Sequence, residues 1–245
     1  MIEAVRLSGA QATPKGSPPP GHEMTKPPEH RPPPDSTYVE YLARGVERFR
    51  KSVFPKRRAL FERLARSQQP KALFLTCADS RVVPALITQT KPGELFVERN
   101  PGNLVPVYST ESVGVSASIE YAITALGTHH VIICGHSDCG AIKGILHPEH
   151  LAAMPAVARW LRFGEEARGL LQAQHPQGDE RTQVRLLTRL NVLVQMEHLK
   201  THPAVRAAMD ADRLEVHGWV YDIETGDVWA WDAKQDDFGL FPTEP

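Results

Sequence analysis

Short apolar runs alternate along the chain with segments of helical periodicity, and this alternation predicts the fold. Apolar runs bounded by turn residues occur at 72–76, 94–97 and 131–134, and such runs are typical of buried strands in a parallel sheet. Between them, helices are predicted from Pro84 to about Thr90 and from about Ser112 to Leu126. Strands and helices in alternation predict an α/β fold with a mainly parallel central sheet flanked by helices.

The pattern continues on both sides of this core. Further helices are predicted near 155–174, 180–200 and 203–210. Two apolar runs that flank the turn residues 224–227 predict a hairpin at the C-terminal edge of the sheet. An N-terminal helical arm, which Pro55 should interrupt, is predicted from one apolar stripe at three- and four-residue steps: Val39, Leu42, Val46, Phe49 and Val53.

The first 36 residues differ in composition from the rest of the chain. They are rich in proline, with runs at 18–20 and 32–34, and they are poor in aromatic residues. Such a segment cannot bury enough apolar surface to offset the entropy lost on ordering. Residues 1–36 are therefore predicted to be a disordered or polyproline-like tail, and residues 37–245 to form one domain.

Composition narrows the functional classes. The 245 residues suffice for one large α/β domain, and a formal net charge of −1 gives no general attraction to nucleic acid. No apolar stretch approaches the ~18 residues of a membrane span, and no signal peptide is visible. Three cysteines form no disulfide framework, so a reducing, cytoplasmic location is predicted.

Two polar blocks follow directly after predicted strands. Cys77, Asp79 and Arg81 follow the first strand, and His136 and Cys139 follow the third. In open α/β sheets, ligands bind outside the carboxyl ends of the strands. Two thiols and one imidazole that meet there suit a tetrahedral zinc ion, and three protein ligands with an open fourth position are the catalytic arrangement.

The alternative is that both thiols are ordinary buried cysteines and that His136 is a turn histidine. Asp79 and Arg81 weigh against it, because a carboxylate and a guanidinium so close at a strand end are costly unless they pair or have a task. Among the eleven histidines, His136 alone has this context. His130 is predicted to be solvated, and His217 to pack rather than to bind a ligand.

In this order and at these spacings, the motifs resemble those of the β-class carbonic anhydrases. The resemblance runs from about Tyr38 to Trp231. It implies that Cys77, His136 and Cys139 bind Zn²⁺ and that Asp79 and Arg81 form the catalytic pair. The motifs that carry it include Cys77-Ala-Asp-Ser-Arg81, Arg99-Asn-Pro-Gly-Asn103, Gly135-His-Ser-Asp-Cys-Gly140 and Asn191-Val-x-x-Gln195.

The resemblance implies a zinc lyase that reversibly hydrates carbon dioxide to bicarbonate and a proton by means of a zinc-activated water. Arg81 would hold Asp79 in the open site, and in a closed state Asp79 would become the fourth zinc ligand. The inhibited branch of the family carries a tryptophan where this chain has Phe74. That difference, together with Gln68, favours the open, plant-like branch.

The same resemblance implies substrate-binding roles for Gln68, Phe96, Tyr121 and Gly140. In the plant-like branch the first three face the zinc of the partner subunit, so a homodimer or higher even oligomer is expected, with no nucleic-acid or membrane partner. Two rival functions stay open: a carbon disulfide or carbonyl sulfide hydrolase on the same scaffold, and a non-catalytic zinc module.

Overall fold

The computed structural model describes residues 34–109, 113–175 and 177–241. These residues fall into two compact units, which are divided between Gln68 and Gln69. Most of the predicted tail lies outside the described residues, and the first helix begins at Asp35.

The N-terminal unit contains two helices separated by an irregular stretch. Helix α1 spans Asp35–Arg48 and continues as one π-helical turn over Phe49–Val53. A 3₁₀ turn then begins at Pro55, and helix α2 spans Arg58–Leu64. The predicted interruption at Pro55 is confirmed. Three aromatic rings pack against one another across it: Phe49, Phe54 and Phe61.

Within the described residues of the second unit, six strands form one sheet. They are β1 (Ala72–Cys77), β2 (Leu95–Asn100), β3 (His130–His136), β4 (Glu215–Tyr221), β5 (Val228–Asp232) and β6 (Asp237–Leu240). Their order is β2-β1-β3-β4-β5-β6. The first four strands in this order are parallel, and β5 pairs antiparallel with both β4 and β6. The predicted α/β fold, with its mainly parallel sheet and C-terminal edge hairpin, is confirmed, whereas β6 was not predicted.

Seven α-helices are described in this unit. They are α3 (Pro84–Ile87), α4 (Val113–Glu120), α5 (Gly140–Leu146), α6 (Pro155–Leu161), α7 (Glu165–Gln174), α8 (Glu180–Lys200) and α9 (Pro203–Asp210). Helix α4 continues as one π-helical turn over Tyr121–Ala125. No helix among the described residues combines the length and apolar character of a membrane span.

Two helix predictions need correction. α3 ends before the predicted Thr90, because Gln89 takes a left-handed conformation with a φ of 53° that a helix cannot continue through. The helix predicted over 155–174 is two helices, separated by a 3₁₀ turn at Arg162–Gly164. A side chain on Gly164 would collide with Ile145, so this turn packs too closely on α5 for a larger residue.

The main core lies between the sheet and α8. Leu73 and Ile133 of the sheet and Leu187 and Val194 of the helix are fully buried and belong to one apolar cluster. Complete burial of such a side chain contributes about 1.5–3 kcal/mol. Because side chains alternate along a strand, Phe74 belongs to a second, smaller cluster.

Strand β4 lies so close to α8 that Gly218 has no room for a side chain. A Cβ there would lie 2.6 Å from Met196 Sδ and 2.9 Å from Val192 Cγ1, whereas a Cβ on Gly239 of β6 would meet no described atom within 4 Å. We expect Gly218→Ala to lower Tm, since overpacking costs about 1–3 kcal/mol. Gly239→Ala should leave Tm almost unchanged. Thermal unfolding followed by circular dichroism measures both, and equal Tm values would contradict this packing.

Candidate metal centre

Strands β1 and β3 are adjacent and parallel, so their carboxyl ends deliver side chains to the same edge of the sheet. Cys77 is the last residue of β1, and His136 is the last residue of β3. The chain then turns through Asp138, whose φ of 56° is left-handed. This turn places Cys139 directly before α5.

The three predicted ligands converge. The donor atoms of Cys77, His136 and Cys139 all lie within 4.8 Å of one another, and all three residues are buried. The two sulfurs are 3.8 Å apart, far beyond the roughly 2.05 Å of a disulfide. Two sulfurs bound at 2.3 Å to one tetrahedral zinc ion would be about 3.8 Å apart, so the thiols are already spaced for zinc.

The His136 ring tests whether the cluster fits a cation. Its Nδ1 lies 2.9 Å from the Ser137 carbonyl oxygen, to which a neutral ring donates its proton. The lone pair is then on Nε2, which is buried and has no hydrogen-bond partner among the described residues. A buried acceptor without a donor is costly, and a metal ion removes that cost. The donor set and the orphaned nitrogen therefore fit zinc.

The two thiols share a proton unequally. A hydrogen bond from the Cys139 thiol lowers the pKa of Cys77 to about 4, and the backbone N–H of Gly102 also donates to the Cys77 sulfur, at 3.4 Å. The same bond to Cys77, together with burial, raises the pKa of Cys139. Of the two sulfurs, Cys77 therefore more readily becomes a thiolate, which is the form that binds a metal.

Asp79 stands beside this cluster as an ionised carboxylate. The Arg81 guanidinium donates two parallel hydrogen bonds to this carboxylate, from Nε to Oδ1 at 3.0 Å and from Nη2 to Oδ2 at 2.8 Å. These hydrogen bonds hold the pKa of Asp79 well below its usual range. Asp79 Oδ2 is also 3.8 Å from His136 Nε2, so the structure brings the predicted pair next to the predicted ligands.

Arg81 is held from its other side by Asp138, for which the sequence predicted no role. Its Nη1 lies 3.1 Å from Asp138 Oδ2, and its Nη2 lies 3.1 Å from the Asp138 carbonyl oxygen. The Lys143 ammonium group pairs with the remaining carboxylate oxygen. Hydrogen bonds from Lys143 and then Arg81 lower the pKa of Asp138, so a second ionised carboxylate keeps Arg81 in place.

The loop after β2 lies behind the cluster and is fixed by polar side chains of α8. Asn191 Nδ2 donates to the Gly102 carbonyl oxygen at 3.1 Å, and Gln195 Oε1 accepts from the Val105 N–H at 2.7 Å. Because Gly102 donates to the Cys77 sulfur, α8 acts on this ligand through the loop. Asn191 and Gln195 belong to a motif that carries the family resemblance, but that motif did not predict which groups their side chains contact.

Two of the predicted substrate residues lie together, but away from the cluster of their own chain. The Phe96 and Tyr121 ring centroids are 5.9 Å apart. Phe96 pairs with Leu73, four residues before Cys77, which corresponds to about 13 Å along a strand. The ring pair is therefore not adjacent to the carboxyl end of β1.

The other two predicted substrate residues occupy different positions. Gly140 is the first residue of α5, directly after Cys139, and a Cβ added to it would meet no described atom within 4 Å beyond its chain neighbours and its own helix backbone. Gln68 is exposed at the end of the N-terminal unit.

Comparisons with known proteins identify the family of the chain. Residues 72–228 match the family model described as carbonic anhydrase. The carbonic anhydrase of Pseudomonas aeruginosa is 49% identical over 201 residues, covering 82% of this chain and 91% of the relative. Carbonic anhydrase 1 of Escherichia coli O157:H7 is 47% identical over 201 residues, with the same coverage.

Solved structures place the fold in the same group. The β-carbonic anhydrase CcaA superposes with a TM-score of 0.82 at 38% identity, covering 85% of this chain and 94% of the other. One of two tetrameric β-carbonic anhydrases from Sordaria macrospora superposes with a TM-score of 0.73 at 28% identity, covering 80% and 97%.

The chain therefore belongs to the β-carbonic anhydrase family. Members of this family are zinc enzymes that hydrate carbon dioxide. The predicted family, reaction and zinc cofactor are confirmed.

The donor cluster predicts which cysteine the metal needs. We expect Cys77→Ser to lose the tightly bound zinc, because a neutral hydroxyl replaces the thiolate with the lowered pKa. Cys134→Ala is the matched control, since Cys134 is also a buried strand cysteine but lies outside the cluster. Zinc content after dialysis against a chelator should be one per chain in the wild type and the control. Full zinc occupancy in Cys77→Ser would remove Cys77 from the ligand set.

Proposed function

We propose that this chain catalyses the reversible hydration of carbon dioxide to bicarbonate and a proton, with zinc held by Cys77, His136 and Cys139 and with Asp79 and Arg81 as the catalytic pair. The donor cluster carries the proposal, because it includes two cysteine sulfurs and a histidine whose buried Nε2 has no hydrogen-bond partner among the described residues. Zinc in such a site lowers the pKa of a water molecule to about 7 and so supplies a nucleophile at neutral pH.

Asp79 orients the reacting water by accepting a hydrogen bond from it. Each carboxylate oxygen already accepts from Arg81 but keeps further acceptor capacity. Because the Arg81 hydrogen bonds lower the pKa of Asp79, this carboxylate remains an acceptor throughout the neutral pH range. Asp79 is therefore too weak a base to accept the product proton, which must be transferred to solvent or buffer.

Arg81 sets the direction of Asp79 and supports the open arrangement. The paired contact uses both carboxylate oxygens, so it opposes the rotation that would turn Asp79 into a metal ligand. Asp138 also opposes that rotation, because it holds the same guanidinium from the other side. Asp138 is thus a positioning residue, which acts on Asp79 through Arg81.

We further propose a homodimer or higher even oligomer, in which Gln68, Phe96 and Tyr121 serve a neighbouring subunit's site. Tyr121 is 49% exposed in the single chain, and the apolar stripe of α1 is exposed as well, with Val39 at 77%. The Sordaria macrospora relatives are tetrameric. The cysteines of the chain are unpaired thiols, which supports a cytoplasmic location.

Replacing the carboxylate of Asp79 tests the reaction assignment. We expect Asp79→Asn to keep its zinc and to lose roughly 100-fold in kcat/KM, within the usual range for a positioned proton-handling group. The amide has only one acceptor oxygen and cannot form the paired contact with Arg81. Stopped-flow hydration of carbon dioxide and metal analysis should be done on the same sample.

The matched control is Asp210→Asn, which alters an exposed aspartate at the end of α9 and should leave turnover unchanged. Near-normal turnover of zinc-loaded Asp79→Asn would exclude Asp79 from the mechanism. The same wild-type sample, assayed with carbonyl sulfide, distinguishes carbon dioxide hydration from the rival hydrolase.

Asp138 offers a separate test of how Arg81 is held. We expect Asp138→Asn to lower kcat less than Asp79→Asn does, with zinc content and Tm unchanged. If Asp138 acts through the Arg81 guanidinium, the decrease in kcat of the double variant Asp138→Asn/Arg81→Lys should be smaller than the product of the decreases in the two single variants. Independent, multiplying effects would show that Asp138 does not work through Arg81.

A further inference from the structure

A second group of metal-binding side chains lies at the opposite end of the strand that carries His136. His130 is the first residue of β3, and Glu215 is the first residue of β4. The two residues pair across the parallel ladder. His217 follows two positions along β4, and one ligand atom from each of the three residues lies within 4.8 Å of the others.

The spacing of these atoms is close to that of zinc ligands. His130 Nδ1 is 3.2 Å from His217 Nε2 and 3.6 Å from Glu215 Oε2, and His217 Nε2 is 3.7 Å from the same oxygen. Ligands bound at 2.0–2.2 Å to a tetrahedral zinc ion are about 3.3–3.6 Å apart. The three atoms therefore outline one face of such a tetrahedron.

We propose that His130, Glu215 and His217 form a second divalent-metal site, which takes Zn²⁺ with two imidazoles and one carboxylate. This donor set suits zinc and neighbouring transition metals rather than Mg²⁺ or Ca²⁺. The side chains are 45%, 70% and 37% exposed, respectively. A metal held there keeps a fourth position toward solvent and exchanges readily.

This site is separate from the catalytic cluster in both position and chemistry. His130 and His136 are six residues apart on one strand, which corresponds to about 20 Å. The catalytic cluster is buried and contains two sulfurs, whereas the second site is accessible and contains none. A chelator should therefore remove metal from the second site first, and excess zinc should refill it.

A metal at this position would link the first residues of β3 and β4. A ligand that binds only the folded state stabilises it in proportion to the logarithm of its concentration above Kd. Without metal, the same geometry is a hydrogen bond between two imidazoles beside a carboxylate. A metal site and a metal-free hydrogen-bonded pair are distinguished by whether a second equivalent of zinc binds.

The experiment starts from protein that retains one zinc per chain after dialysis against a chelator. Titration with Zn²⁺ in a calorimeter should show one further equivalent, and added Zn²⁺ should raise Tm. His130→Gln and Glu215→Gln should each weaken this binding at least about tenfold, since even loss of an outer-shell partner can have that effect. Glu215 is the most exposed of the three, so its variant is the one least able to disturb folding.

His129→Gln is the matched control, because His129 is an exposed histidine adjacent to the strand but outside the cluster. It should keep the second equivalent. Co²⁺ added to the one-zinc protein should give a visible spectrum without thiolate-to-metal charge transfer, as expected for nitrogen and oxygen ligands. Absence of a second equivalent, a second equivalent indifferent to both variants, or a thiolate signature would each overturn the proposal.

Discussion

The parallel pairing of β1 with β3 is the constraint on which the metal centre depends. It brings Cys77 and His136, which are far apart in the chain, to neighbouring strand ends. The same ladder is fixed by fully buried side chains such as Leu73 and Ile133, and a register slip of one residue would turn every side chain to the other face. Core packing and ligand geometry are therefore set by the same contacts.

Around the ligands, charge is arranged as a chain of alternating signs. Lys143 pairs with Asp138, Asp138 with Arg81, and Arg81 with Asp79. Asp138 and Arg81 are largely exposed, so each pair alone contributes little to stability. Their combined effect is directional, because the Asp79 carboxylate, which lies 3.8 Å from His136 Nε2, is kept ionised and oriented by a guanidinium that itself has little freedom.

The cluster of Cys77, His136 and Cys139 could be predicted from the sequence because Cys77 and His136 follow apolar runs, and parallel strands share a carboxyl edge. Asp138 could not, because its contact with Arg81 spans 57 positions and depends on a left-handed turn. From the sequence, His130 was predicted to be solvated and His217 to be a packing residue. The structure places them against each other, since the β3–β4 register joins segments that five described α-helices separate. Local patterns do not encode such a register.

Cys134 lies two residues before His136 of the donor cluster, yet it packs with Phe74 and Ile132 in the smaller cluster. Burial raises the pKa of its thiol to about 12, so in the folded protein it is a poor nucleophile, and it lies outside the donor cluster of Cys77, His136 and Cys139. A nascent chain, in contrast, offers three chemically equivalent thiols to metal ions and oxidants. In the folded protein the thiols are no longer equivalent, because the sheet places Cys77 at its edge beside Cys139 and encloses Cys134 in the smaller apolar cluster.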